Sequence, residues 1–113
     1  MLTIDALRAY GADVETGLKR CVNNEQFYLM LVKKSANEAG FQALPDAIAA
    51  NDLDAAFAAA HGLKGVVGNL ALTPLFDPIS EMTELLRARE QRDYGDYLAK
   101  IADAHEKLRA LCE

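Results

Sequence analysis

The side chains best suited to chemistry lie in one short run, Ala60-His61-Gly62-Leu63-Lys64-Gly65-Val66-Val67-Gly68-Asn69-Leu70. Three glycines interrupt a segment whose flanks favour helix, and each costs about 1 kcal/mol relative to alanine. At about 100° per residue, Leu53, Ala56, Ala60, Leu63, Val67 and Leu70 share one arc and form the face to be buried. His61 lies about 130° from the centre of that arc, with Asp54, Phe57, Lys64, Gly65 and Gly68 around it. The spacing predicts an exposed imidazole, an ammonium one turn on, and bare backbone on the C-terminal side. A neutral ring nitrogen can attack phosphorus or bind a metal. Lys64 can pair with anionic oxygens brought to that nitrogen. Gly65 and Gly68 clear a strip for a bulky partner, and Phe57 offers that partner an apolar anchor.

The surroundings of His61 restrict the chemistry further. A histidine acting as general base is oriented by a carboxylate and held near a hydroxyl or thiol. The positions three and four away are Phe57, Ala58, Lys64 and Gly65, and Asp54 stands about 10 Å off along the helix axis. A metal site would need a second histidine at i+4 or clustered cysteines and carboxylates. His105 falls on an apolar stripe of another segment and is read as structural, so no residue is assigned to a metal.

Helices must position these groups, because apolar residues recur at three- and four-residue spacing and no segment alternates like a strand. Thr3 and Asp13 are N-caps for two short helices separated by Gly11. A longer helix follows from Asn24, with Phe27, Tyr28, Leu31 and Val32 on one side, and is expected to stop near Gly40. Phe41, Leu44 and Ile48 start another stripe, with Pro45 in its opening turn or at a bend. Asn51 or Asp52 caps the helix that carries His61, which is expected to reach about Leu72. Thr73-Pro74 gives a stop and a restart, and Asp77-Pro78 a second possible start. The next helix runs through Ile79, Met82, Leu85 and Leu86 to the polar segment Arg89–Arg92, and Asp93 caps the last. The expected architecture is all-α, an up-and-down antiparallel four-helix bundle with short additional N-terminal helices.

A chain of 113 residues is the size of one domain, and residues 1–113 are read as one. With 12 Lys and Arg against 17 Asp and Glu, the net charge is −5. Such a balance attracts neither nucleic acid nor an anionic membrane. It also weakens a GxxG reading as a nucleic-acid clamp. Cys21 and Cys112 form no CxxC pair and are expected to be reduced. The N-terminus lacks the pattern of a signal peptide, and the longest stretch without a charge, Gly65 to Phe76, falls short of a membrane span. The expectation is a cytoplasmic monomer.

The run His61-Gly62-Leu63-Lys64-Gly65, followed by small residues and Asn69-Leu70, resembles the motif of the histidine-containing phosphotransfer (HPt) domain of two-component phosphorelays. The likeness is strongest from about Phe41 to Leu86. It implies that His61 accepts a phosphoryl group from a receiver-domain aspartate and passes it to another receiver. Lys64 would offset charge on the phosphoryl oxygens, while Gly65 and Gly68 let the receiver close over His61. The implied partners are response-regulator receiver domains and a hybrid histidine kinase. No cofactor of the chain's own is implied, since magnesium belongs to the receiver, and no turnover. Two positions depart from the family pattern. Ala71 stands where a glycine is common, a change expected to touch only helix packing. Thr83 stands where many members carry a Gln or Glu that hydrogen-bonds the histidine, and is the candidate to contact the ring from the next helix. The rival reading is a helical interaction module that docks a receiver or another partner without phosphotransfer.

Overall fold

Side-chain oxygens of Thr3, Asp13, Asn24 and Asp52 each accept a hydrogen bond from a backbone N–H three residues on, at Ala6, Thr16, Phe27 and Ala55. These caps satisfy N–H groups that the first turn leaves without helical partners, and they start four of seven helices. The computed structural model describes residues 1–113. Its helices are α1 (Ile4–Tyr10), α2 (Val14–Arg20), α3 (Glu25–Ser35), α4 (Gly40–Ala49), α5 (Leu53–Asn69), α6 (Thr73–Arg87) and α7 (Gly95–Leu111). Helices α4 to α7 run up and down, joined by short turns, and α1 to α3 precede them. No strand forms, so the all-helical bundle expected from the spacing is the fold.

One core runs through the molecule. It takes Ala56, Ala60, Leu63 and Val67 from α5, Leu75, Ile79, Met82 and Leu86 from α6, and Ile101, Ala104 and Leu108 from α7. The buried arc of α5 is the one its periodicity predicts, except that Leu53 at its start is only half-buried. The two cysteines are unpaired, Cys21 buried and Cys112 half-buried. No helix is long and apolar enough to cross a membrane.

Several boundaries differ from expectation, each for a local reason. α3 ends at Ser35, and Gly40 opens α4 instead of stopping α3. A β-carbon on Gly40 would lie 2.8 Å from Leu63 Cγ, so this glycine serves the close approach of α4 to α5. Pro45 sits inside α4 without ending it. α6 starts at Thr73, with Pro74 in its first turn, and passes straight through the buried Pro78, which is therefore not a start. At α7 the cap position falls to Tyr94. Asp93 caps from one residue earlier, its Oδ1 accepting from Gly95 N–H at 2.8 Å. His105 is structural as read. It stacks on Phe41 with centroids 3.7 Å apart, and its Nε2 lies 2.7 Å from the Ala36 carbonyl. A carbonyl can only accept, so that nitrogen carries the hydrogen.

The end of α5 is held by the N-terminal helices. The Tyr28 hydroxyl donates to the Leu70 carbonyl at 2.8 Å, the Asp13 N–H donates to the Ala71 carbonyl at 2.9 Å, and the Arg20 guanidinium donates to the Gly68 carbonyl. Burial pushes the Tyr28 phenol up to about 12, so the hydroxyl stays a donor near neutrality. Its ring occupies space that only a glycine at position 17 leaves, since a β-carbon there would meet Tyr28 Cε1 at 2.5 Å.

Ala71 closes this turn at φ 56°, the left-handed region, while Ala71 N–H and Leu72 N–H return to the Gly68 and Val67 carbonyls. The departure at position 71 is therefore a matter of backbone conformation and not of helix packing. A non-glycine residue there costs about 1 kcal/mol or more. Ala71→Gly is expected to raise the unfolding free energy by roughly 0.5–1 kcal/mol, after allowance for the freer unfolded chain. Urea unfolding measures this, and an unchanged or lowered midpoint would contradict the strained turn.

Candidate functional site

His61 stands in the middle of α5 with its side chain exposed. The neighbouring polar side chains all bond elsewhere. Thr83 is fully buried and donates its hydroxyl to the Ile79 carbonyl of its own helix at 2.6 Å. The expectation that Thr83 touches the imidazole is therefore wrong, because a short hydroxyl in an apolar interface satisfies itself on the backbone one turn back. Asp54 accepts from Arg89 Nε at 2.7 Å. Glu84 accepts from Arg87 Nε at 3.3 Å and lies 3.5 Å from Lys64 Nζ. The bond from Arg87, with the charges of Arg87 and Lys64, holds the Glu84 carboxyl below the usual carboxylate range. Neither imidazole nitrogen bonds to any of these groups.

Lys64 lies one turn beyond His61, as the spacing predicts, but it is engaged by Glu84 from α6. The pair is long at 3.5 Å, and the Glu84 side chain is 56% exposed. Such a contact is weak and gives way readily to a stronger anion.

The three glycines divide. Around Gly62 and Gly65 a β-carbon would meet nothing within 4 Å, so the backbone beside His61 is open. Gly68 is different, for a β-carbon there would stand 2.9 Å from Cε1 of Phe76. The reading of Gly68 as part of the open docking strip is thus corrected. It is a packing glycine that lets α6 lie close against α5. The wheel missed this because α6 covers more of α5 than the apolar arc alone implies.

Phe57 is also not the free apolar anchor that was expected. It is half-buried, packed against the core, and stacked on His61 with centroids 5.5 Å apart and planes at 22°. The guanidinium carbons of Arg87 and Arg89 lie 5.0 and 4.9 Å from its ring centroid, within cation–π range. These two arginines and Glu84 were missed by the sequence reading, which took the end of α6 as a polar terminus. The usable signal was register. In an antiparallel pair joined at Leu70–Leu72, the end of α6 returns alongside the start of α5, which brings the stretch of Arg87 and Arg89 to that of Asp54 and Phe57. Arg87 and Arg89 thus reach the stacking partner of His61, and with Lys64 they are paired to the carboxylates of Glu84 and Asp54. No group of three or more His, Cys, Asp or Glu side chains is arranged to hold a metal ion.

The arrangement suits an accessible nucleophile near the Lys64 ammonium, with backbone room for a second macromolecule. A comparison with protein families finds that the model of the Hpt domain matches residues 32–111. No curated protein and no solved structure matches the chain. The match leaves out α1, α2 and most of α3, the segment that fastens the end of α5.

The division among the glycines is open to measurement. Gly62→Ala should stabilise by roughly 0.5–1 kcal/mol, since helix propensity rises and nothing is displaced. Gly68→Val should cost about 2 kcal/mol by driving Phe76 outward. Equal effects from the two substitutions in thermal or denaturant unfolding would show that Gly68 is as open as Gly62.

Proposed function

The chain belongs to the Hpt domain family, and on that premise we propose that it relays phosphoryl groups between receiver domains through His61. Hpt domains carry out histidine phosphotransfer in phosphorelays and interact with response-regulator receiver domains. The observation that carries the assignment to His61 is its exposed imidazole, free of hydrogen bonds to neighbouring side chains and flanked by open backbone at Gly62 and Gly65.

In this reading, an unprotonated imidazole nitrogen attacks the phosphorus of an aspartyl phosphate on the docked receiver. The N–P bond forms as the bond from phosphorus to the aspartyl oxygen breaks, and the receiver recovers its carboxylate. The proton on the opposite ring nitrogen stays where it is. Attack by the aspartate of a second receiver reverses these events. Lys64 exchanges its contact with Glu84 for the phosphoryl oxygens and so offsets charge that develops during transfer. Arg87 and Arg89 add to the same field. Gly65 admits the receiver backbone near the ring. Magnesium enters with the receiver, the phosphoryl group originates on a hybrid histidine kinase, and the chain acts as a monomer without turnover of its own.

The test is incubation with a phosphorylated receiver and magnesium, followed by a search for acid-labile, alkali-stable label. Wild type should be labelled and His61→Gln should not. Label on both, or on neither across a broad receiver panel, would overturn the relay and leave an interaction module that docks without transfer. Gly65→Gln should keep its helical circular dichroism, because nothing lies within 4 Å of that position, yet lose phosphoryl uptake by at least tenfold, about 1.4 kcal/mol of transition-state binding. Unimpaired uptake in that variant would remove the docking role of the glycine.

A further inference from the structure

We infer that Phe57 is the positioning residue of the His61 imidazole and that Arg87 and Arg89 brace it, an inference that rests on His61 being the phosphoryl acceptor. A transferring nitrogen must present its lone pair in line with phosphorus, so the plane of the ring has to be held. Histidine rings are commonly held by a hydrogen bond to one nitrogen, which also selects the tautomer. Here the polar side chains nearby are committed elsewhere: Thr83 to Ile79, Asp54 to Arg89, and Glu84 to Arg87 and Lys64.

Contact with Phe57 takes over that task. The two residues are four apart on α5, which places them on one face a turn apart. Their separation of 5.5 Å and their 22° interplanar angle describe an offset stack. Stacking through the ring face restricts rotation of the imidazole without a hydrogen bond to either nitrogen. It orients the nucleophile without withdrawing a nitrogen from reaction.

Phe57 is itself fixed from α6. Arg87 reaches over its ring while tied to Glu84. Arg89 reaches over it while tied to Asp54 Oδ1 at 2.7 Å and to the Leu86 carbonyl at 2.9 Å. The backbone of Arg89 ends α6. It lies at φ 55° where the chain leaves α6, with its N–H returned to Leu86 and that of Glu90 to Leu85. Glycine is the default residue for such a position. The arginine there supplies the side chain that crosses to Asp54 and Phe57. Val22, Asn51 and Ala71 take the same backbone conformation elsewhere in the chain, so what distinguishes Arg89 is the reach of its side chain.

The test combines NMR on the unphosphorylated protein with transfer kinetics. In wild type the ring protons of His61 should carry the shift that a stacked phenyl ring imposes. Phe57→Leu should move them to the values of an unstacked histidine and slow phosphoryl uptake about tenfold, with the final extent of labelling unchanged. Phe57→Tyr keeps the stack and should restore both. If Phe57→Leu loses its helical circular dichroism, the double variant Arg87→Gln/Arg89→Gln, at exposed positions, carries the same test and should weaken the ring shift and the rate together. Unmoved ring shifts in Phe57→Leu overturn the inference whatever happens to the rate, since a rate loss alone would place Phe57 in receiver docking. Moved shifts with an unchanged rate overturn it as well. If wild type takes no label, the relay reading fails, while the ring shifts still decide whether Phe57 sets the imidazole.

Discussion

The edge of the Phe76 ring lies 2.9 Å from where a β-carbon on Gly68 would stand, so a glycine at position 68 is what lets this ring lie against α5. Because the two helices approach so closely, the charged end of α6 lies along the first half of α5. Glu84 reaches Lys64, Arg89 reaches Asp54, and both arginines reach Phe57. The setting of His61 is therefore supplied largely by α6, in which Thr83 is buried and keeps its hydroxyl on its own backbone.

α5 reconciles a costly surface with a secure interior. Gly62 and Gly65 weaken it where it must stay open, and Gly68 weakens it where α6 must come close. Burial of Ala56, Ala60, Leu63 and Val67 on the opposite face offsets that loss. Its C-terminal carbonyls, which a helix end leaves without partners, are met by Tyr28, Asp13 and Arg20. These donors come from residues outside the stretch matched by the Hpt domain model. The N-terminal helices thus steady the far end of α5, so that its middle can remain exposed.

Charge follows the same logic. The chain carries a net charge of −5, yet Lys64 lies one turn from His61, and Arg87 and Arg89 reach its stacking partner Phe57. Their counter-ions Glu84 and Asp54 are exposed and make surface pairs, which hold side chains in place while adding little stability. Lysine and arginine divide the work by chemistry. The compact ammonium of Lys64 sits in a long, exchangeable contact, whereas the planar guanidiniums of Arg87 and Arg89 lie over an aromatic ring.

Much of this was legible in the chain itself, because helical periodicity and capping act over a few residues. The all-α class, the starts at Thr3, Asp13 and Asn24, a start at Asn51 or Asp52 that the structure places at Asp52, the buried face of α5, the exposure of His61 and the nearness of Lys64 all follow from spacing within single helices. What neighbouring helices do to one another did not follow. Gly40 was read as a stop although it is a contact with Leu63. Gly68 was read as open although it faces Phe76. Phe57 was read as free although arginines of α6 cover it, and Thr83 was read as pointing at the ring although it turns to its own backbone. Each of these depends on the separation and rotation of two packed helices. Those quantities are set by how side chains from distant segments fill shared space, so the residue types determined the nucleophile and the tertiary structure decided what holds it.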